Sequence, residues 1–424
     1  CCVVSKIAAP FPFDNAAFNN AASGLHQLPL GRIMGADNVH ATKGERMYDT
    51  GSTTFMLICT MLVFLMTPGL AFFYGGLSRR KNVINTMFMC FGAIGLVGVL
   101  WIVAGWSLAY GGDGSSPFIG GLDQLLCLPV LNQVLQAAEG NAADGAVYPQ
   151  IINIAFQMAF AMITAAIVTG SLAGRVKFGA MAAFLGIWLL VVYAPLAHMV
   201  WGGEGSFIGD IIGALDFAGG DVVHISSGLT GLILCLMLGR RRGFGMVSYR
   251  PHNVPFVALG AGLLWFGWFG FNGGSEFKAD AVAALAILNT VTASAAGMVS
   301  WLAVERVHTG RPTLVGASTG LVAGLVVVTP GAGFVEPWAA LIMGLIVSPV
   351  CYLAISHLKT KFGYDDALDA FGCHGIGGIL GGVLTGLFCV PELSWTGKGG
   401  LFYTGDMSLL ISQILGIVVT VVIV

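Results

Sequence analysis

The run Gly69-Leu70-Ala71-Phe72-Phe73-Tyr74-Gly75-Gly76 returns 198 residues later as Gly267-Trp268-Phe269-Gly270-Phe271-Asn272-Gly273-Gly274, and both read G-x-x-x-F-x-G-G. Each closes a continuous apolar stretch that, at about 20 residues or more, is long enough to cross a bilayer as a helix. Eleven such stretches occur, at residues 52-76, 83-110, 147-173, 178-202, 216-239, 254-274, 279-304, 312-330, 336-358, 371-391 and 407-424. The matched runs end the first and the sixth. The fifth and tenth match as well: His224 is followed by Gly228 and Gly231, and His374 by Gly378 and Gly381, both H-x-x-x-G-x-x-G. Asp216 stands eight residues before the first histidine and Asp369 five before the second.

Two halves of five spans are therefore related. Because five is odd, the second half enters the membrane from the opposite side, which makes an inverted repeat with its site near the midplane between the halves. The expected fold is an all-α polytopic membrane protein with eleven transmembrane helices. Repeat one covers about 52-239, repeat two about 254-391, and a last helix 407-424. The glycines have a second reading, since small residues let membrane helices approach closely.

Composition points the same way. Of 424 residues, 56% are hydrophobic and 9% charged, with a mean hydropathy of +0.85. A soluble domain carries roughly 25% charged residues, so this chain cannot cover a water-facing surface. The stretches are continuous rather than alternating in ten-residue segments, which favours helices over a barrel. With 19 Lys+Arg against 21 Asp+Glu there is no basic excess for nucleic acid.

Basic residues set the orientation. The loops after spans 1, 3, 5, 7 and 9 hold thirteen: Arg79, Arg80, Lys81, Arg175, Lys177, Arg240, Arg241, Arg242, Arg250, Arg306, Arg311, Lys359 and Lys361. The even-numbered loops hold only Lys278 and Lys398. The positive-inside rule puts the N-terminus outside and the last span running inward. Residues 1-51 are expected to be an extracytoplasmic segment, in which Val39-His40-Ala41 is a weak match to a signal-cleavage site. The chain begins at Cys1, which suggests processing or a numbering that omits the start, and stops at Val424 inside an apolar run, so a cytoplasmic segment is expected beyond. Nine cysteines show no C-x-x-C; Cys127 and Cys389 both fall near the outer face, where the topology allows a disulfide between them.

Few polar groups lie deep. If the halves pack as an inverted pair, His224, about 12 Å along its helix from Asp216 at the usual rise, meets His374 near the middle. An ionisable side chain in the bilayer is costly and so points to function, the alternative being a neutral histidine hydrogen-bonded between helices. His198, in Ala197-His198-Met199-Val200-Trp201, suits a structural hydrogen bond, and His252 falls in a basic loop. Phe156, Phe160, Trp201 and Phe271 gather at outer span ends, with Ser275 just beyond. They form either an interfacial aromatic belt or a cage whose ring faces attract a small ammonium-type cation while a hydroxyl accepts one of its hydrogen bonds. The acidic Asp113, Glu204, Asp210 and Asp221 are expected outside, favouring cations there. Enzyme motifs are absent: no H-E-x-x-H occurs, and Gly397-Lys398 is followed by Gly399 rather than Ser or Thr. No cofactor or metal is expected.

Together these residues resemble the ammonium transporter family, the Amt/Mep/Rh superfamily, over about 52-424. The resemblance rests on Phe72-Phe73-Tyr74-Gly75-Gly76-Leu77, Ala197-His198-Met199-Val200-Trp201-Gly202-Gly203, Asp216-Phe217-Ala218-Gly219-Gly220-Asp221-Val222-Val223-His224, Gly267-Trp268-Phe269-Gly270-Phe271-Asn272 and Phe371-Gly372-Cys373-His374-Gly375. It implies a homotrimer in the plasma (inner) membrane with one pore per subunit. Phe160, Trp201 and Ser275, with Phe156 nearby, would form the outer ammonium site. Phe160 and Phe271 would gate the pore, and His224, His374, Trp268 and Tyr74 would line it. Asp216 would support the outer site structurally, and Asp369 is expected to serve alongside. The Trp-plus-Ser pairing resembles the Amt/Mep branch. The family also implies a PII-type regulator or a fused signalling module acting through a C-terminal region.

The expected function is ammonium/ammonia transport: NH4+ is recognised in the cage and NH3 crosses a hydrophobic lumen, with the proton either moving separately through the histidines, so that transport carries charge, or staying outside, as in a pure gas channel. The competing reading is an ammonium sensor whose signalling module lies past residue 424. A membrane enzyme with histidine metal ligands lacks an evident third ligand.

Overall fold

The computed structural model describes residues 48–112, 114–138, 146–246 and 249–424. Residues 1–47, with the candidate cleavage step at 39–41 and most of the expected N-terminal segment, lie outside them, as does Asp113. Among the described residues ten helices are long and apolar enough to span a membrane. They are α1 (Thr50–Leu77), α2 (Arg80–Tyr110), α3 (Gln150–Ser171), α4 (Phe178–Trp201), α5 (Gly220–Leu238), α6 (Val254–Gly274), α7 (Ala281–His308), α8 (Leu314–Gly331), α9 (Pro337–Phe362) and α10 (Phe371–Phe388). A shorter apolar helix, α11 (Ser408–Ile423), completes the set. The protein is thus an all-α polytopic membrane protein, and the expected boundaries hold to within four residues. The largest offset at a helix start is at α5, which begins at Gly220 rather than at residue 216.

Starts are written locally. The Asp49 side chain accepts from Ser52 N ahead of α1 at 2.6 Å, and Asn253 does the same for Phe256 N ahead of α6 at 3.1 Å. Such caps satisfy N–H groups that have no acceptor inside the helix.

Packing repeats with an offset of five. α1 lies along α6 in the most extensive contact of the molecule, α1 with α3 is matched by α6 with α8, and α2 with α4 is matched by α7 with α9. Small residues make the α1–α6 seam close. A Cβ on Gly76 would stand 2.6 Å from the carbonyl oxygen of Asn253, and one on Gly270 would stand 2.8 Å from that of Cys59. Both belong to the repeated G-x-x-x-F-x-G-G runs.

The loops sort to two ends. Arg79 and Arg241 lie 3.6 and 4.2 Å from the Tyr249 ring centroid, and Arg175 and Arg241 share Asp365. The loops after α1, α3, α5 and α9 therefore meet at one end, the end expected to be cytoplasmic. All seven cysteines among the described residues are free, including Cys127 and Cys389, so the disulfide allowed by topology does not form.

Candidate functional site

α5 starts where Asp216 fixes it. One carboxyl oxygen accepts from Gly219 N at 2.8 Å and Gly220 N at 2.6 Å, the other from Asp221 N at 2.8 Å and Val222 N at 3.3 Å. Asp216 thus stands ahead of the helix rather than on it, which corrects the along-helix spacing to His224 expected from sequence. The opening turn, Gly220–Ile225, winds as a π-helix and carries His224. The later start also draws Asp221 into the first turn, where it is buried instead of facing the outer solution.

α10 is built in the same way. Asp366 accepts from Ala370 N, Phe371 N and Gly372 N at 3.2, 2.9 and 3.4 Å, and the opening turn Phe371–Gly375, again π-helical, carries His374. The counterpart of Asp216 is therefore Asp366, eight residues before its histidine. Asp369, two residues from the helix start and with φ of +60°, instead pairs with Lys359 at 2.7 Å.

Close approach of α5 and α10 brings the imidazoles together. A Cβ on Gly378 would stand 3.0 Å from the Gly220 carbonyl oxygen and 3.1 Å from His224 Cβ. With glycine there, His224 Nδ1 and His374 Nδ1 lie 3.2 Å apart. Trp268 stacks on His224 with centroids 5.4 Å apart, and its indole N–H donates to Thr329 at 3.0 Å. His224 Nε2 has no protein partner.

Three cavities follow one another past this pair. The first, 780 Å³, opens at the end expected to face outward and is lined by Trp201 and Ser275 together with Phe217, Phe277, Trp395 and Gln157. The Trp201 indole donates to the Asp216 carbonyl at 2.8 Å. The Ser275 hydroxyl donates to Phe271 O at 2.8 Å, which leaves its oxygen lone pairs for an incoming N–H. Beneath lie Phe160 and Phe271, stacked with centroids 4.1 Å apart and planes 12° apart. Phe160 meets Trp201 edge to face at 6.0 Å. Phe156 packs against Phe160 at 4.8 Å and, like Phe160 and Phe271, is buried.

The second cavity is only 10 Å³ and is walled by Met66, Leu70, Ile163, Ile167, Val223 and Leu264 with Trp268, Phe271 and both histidines. It is about the size of a single water probe. The third, 180 Å³, opens toward the opposite end and is lined by Tyr74, Tyr249, Asp369, Cys373 and His374. Tyr74 donates to Ile167 O at 3.2 Å.

His198 is placed as its interfacial position suggested, with its ring nitrogens 2.9 and 2.8 Å from the carbonyl oxygens of Ala109 and Ser116. Glu204 and Asp210 are exposed. Phe217, Phe277 and Trp395 were not singled out from sequence. Phe217 directly follows Asp216 and Phe277 lies two residues past Ser275, whereas nothing local marks Trp395 in the α10–α11 connection. No cluster of three or more His, Cys, Asp or Glu able to hold a metal occurs among the described residues.

Residues 54–424 match the Ammonium Transporter Family. The chain is 48% identical over 376 residues to an ammonium transporter of Bacillus subtilis (strain 168), covering 88% of each protein. It is 46% identical over 393 residues to an ammonium transporter of Aquifex aeolicus (strain VF5), covering 92% of this chain and 89% of the relative. Its fold is similar to the crystal structure of Candida albicans Mep2, with a TM-score of 0.81 at 33% identity over 89% of this chain and 82% of that one.

Proposed function

From the premise that this chain belongs to the ammonium transporter family and carries ammonium/ammonia across a membrane, we propose how its residues divide the work. It is a transporter, not an enzyme. NH4+ docks in the outer cavity against the faces of Trp201 and Phe160, with Ser275 Oγ accepting one N–H. A cation on desolvated aromatic faces gains about 2 kcal/mol. NH3 then passes the Phe160/Phe271 stack and moves down the lumen.

The supporting observation is the 10 Å³ apolar cavity between the phenylalanines and the histidines. A bare charge there loses its hydration with few groups to replace it, whereas neutral ammonia crosses at far smaller cost. The proton left behind travels through the imidazoles. Two facing Nδ1 atoms hydrogen-bond only if one bears hydrogen and the other does not. A proton taken up at the free Nε2 of the first ring is therefore handed across, and one leaves from Nε2 of the second, after which both rings return to their starting tautomers before the next passage. Each turnover moves NH3 and H+ separately, one positive charge in all, and they recombine in the inner cavity.

The reading places this site in the membrane domain, residues 52-424, with 1-51 extracytoplasmic, in a homotrimer of the plasma (inner) membrane. Its support for the trimer and the compartment is the family resemblance. A PII-type regulator or fused signalling module would act through a C-terminal region. The test is an ammonium jump applied to proteoliposomes on a supported membrane. A transient current is expected, and intact ammonia uptake without current would overturn separate proton movement.

A further inference from the structure

The connection between α2 and α3 is fastened to the outer end of α2 yet turns its apolar side chains away from the protein. The Trp106 indole donates to Gln124 Oε1 at 2.5 Å, and the Ser107 hydroxyl donates to Gly121 O at 2.8 Å and accepts from Gln124 N at 3.0 Å. These bonds hold the segment against the outer end of α2. Beyond the tether, Leu126 and Cys127 both adopt left-handed backbone, with φ of +56° and +51°. Non-glycine residues rarely accept that conformation.

The twist projects leucines outward. Leu126 is 55%, Leu128 72% and Leu131 65% exposed, and the short helix Val130–Ala138 adds Val134 and Leu135. Such an apolar face, exposed on a strained loop, needs a cover. The patch is continuous with an exposed apolar side of the membrane-spanning helix α2: Cys127 lies against the Ile102 carbonyl at 3.9 Å, and Val99, Ile102 and Val103 on that helix are exposed. Residues 106–149 contain no Lys or Arg, so charge does not draw this segment to anionic headgroups.

We propose that the segment from Leu126 to Leu135 is an interfacial anchor that seats its leucines in the acyl boundary of the outer leaflet, held by apolar insertion and not by charge. The occupant is the bilayer lipid itself. Insertion of this kind follows the apolar area buried and does not respond to salt.

Photolabelling of the native chain tests it. The protein is reconstituted in phosphatidylcholine vesicles containing a phosphatidylcholine with a diazirine near the glycerol end of its acyl chain, and carbene adducts are mapped by mass spectrometry. Adducts on residues 126–135 at a level comparable with Val99, Ile102 and Val103 are expected, unchanged by high salt or by added phosphatidylglycerol. Changing Leu126, Leu128 and Leu131 together to Ser should remove the loop adducts and leave those on α2. Labelling confined to α2, or loop labelling that requires phosphatidylglycerol or vanishes in high salt, overturns the proposal. The native chain alone decides this if the triple variant does not reach the membrane.

Discussion

His224 and His374 face each other through like atoms, Nδ1 to Nδ1 at 3.2 Å, although they belong to helices that start at opposite ends of the molecule. One ring must donate and the other accept, so the two outlying Nε2 atoms have opposite roles, and one proton passing through reverses both. Replacing His224 by Leu leaves the partner ring without its hydrogen bond in a poorly solvated place. Losing such a bond costs about 1–3 kcal/mol, or about fivefold and more in rate. The ammonium-evoked current of the variant in proteoliposomes is therefore expected to drop by at least about that factor. A variant current equal to the native one retires the pair from the proton's path.

Trp201 carries the outer site in a different way. Its ring meets Phe160 edge to face and its N–H holds the Asp216 carbonyl, so the face over the outer cavity is fixed in direction. Trp201→Leu keeps apolar bulk and removes the ring quadrupole, worth about 2 kcal/mol where water is excluded. Half-saturation for ammonium should rise about tenfold or more, with the maximal current reduced less. A concentration dependence that matches the native protein would show that cation–ring attraction does not set affinity.

The caps make a third, sharper case. Asp366 satisfies three N–H groups at the start of α10, while Asp369 pairs with Lys359 and is a third exposed. Loss of a helix cap costs about 1–2 kcal/mol, and an exposed ion pair contributes about 0–1 kcal/mol. Asp366→Ala should therefore lower the thermal midpoint more than Asp369→Ala, and it should also weaken transport because His374 rides on that first turn. Equal midpoints for the two variants in one detergent would refute the assignment.

That comparison shows where the sequence was legible. The spans could be read because a bilayer demands long apolar runs, and His224 and His374 because an ionisable group in such a run is conspicuous. The glycines at 228 and 378 were visible as a pattern, and their contacts show what they are for. The second cap was harder. Asp365, Asp366 and Asp369 stand within five residues of one another, and only the spacing of eight shared by Asp216–His224 and Asp366–His374 distinguishes the middle one. Trp395 left no mark, because it reaches the outer cavity from a connection with no periodicity to read. The π-helical turns carrying both histidines depend on caps whose side-chain geometry appears only in the fold.

Asp365 gives the pH dependence of the inner end. Its side chain is fully buried and accepts from Arg241 at 2.6 and 2.8 Å and from the Arg241 backbone N at 2.7 Å, with Arg175 at 3.9 Å. Burial alone would push this carboxyl up, but the Arg241 hydrogen bonds outweigh it and hold the group below its ordinary value of 3.8. The folded protein therefore binds this proton less readily than the unfolded chain. The stabilisation is complete above the ordinary carboxylate range and is lost as pH falls through the lowered folded value. Arg241→Met removes the hydrogen-bonding partner and leaves the buried carboxylate with Arg175 alone at 3.9 Å, at a cost of up to about 3 kcal/mol near neutral pH. Without Arg241, burial dominates and protonation relieves the strain. The gap in thermal midpoint between native and Arg241→Met protein should thus be widest near pH 7 and should narrow below about pH 4. A gap that stays constant across that interval would show that the Asp365–Arg241 pair does not set the acid stability of the inner loops.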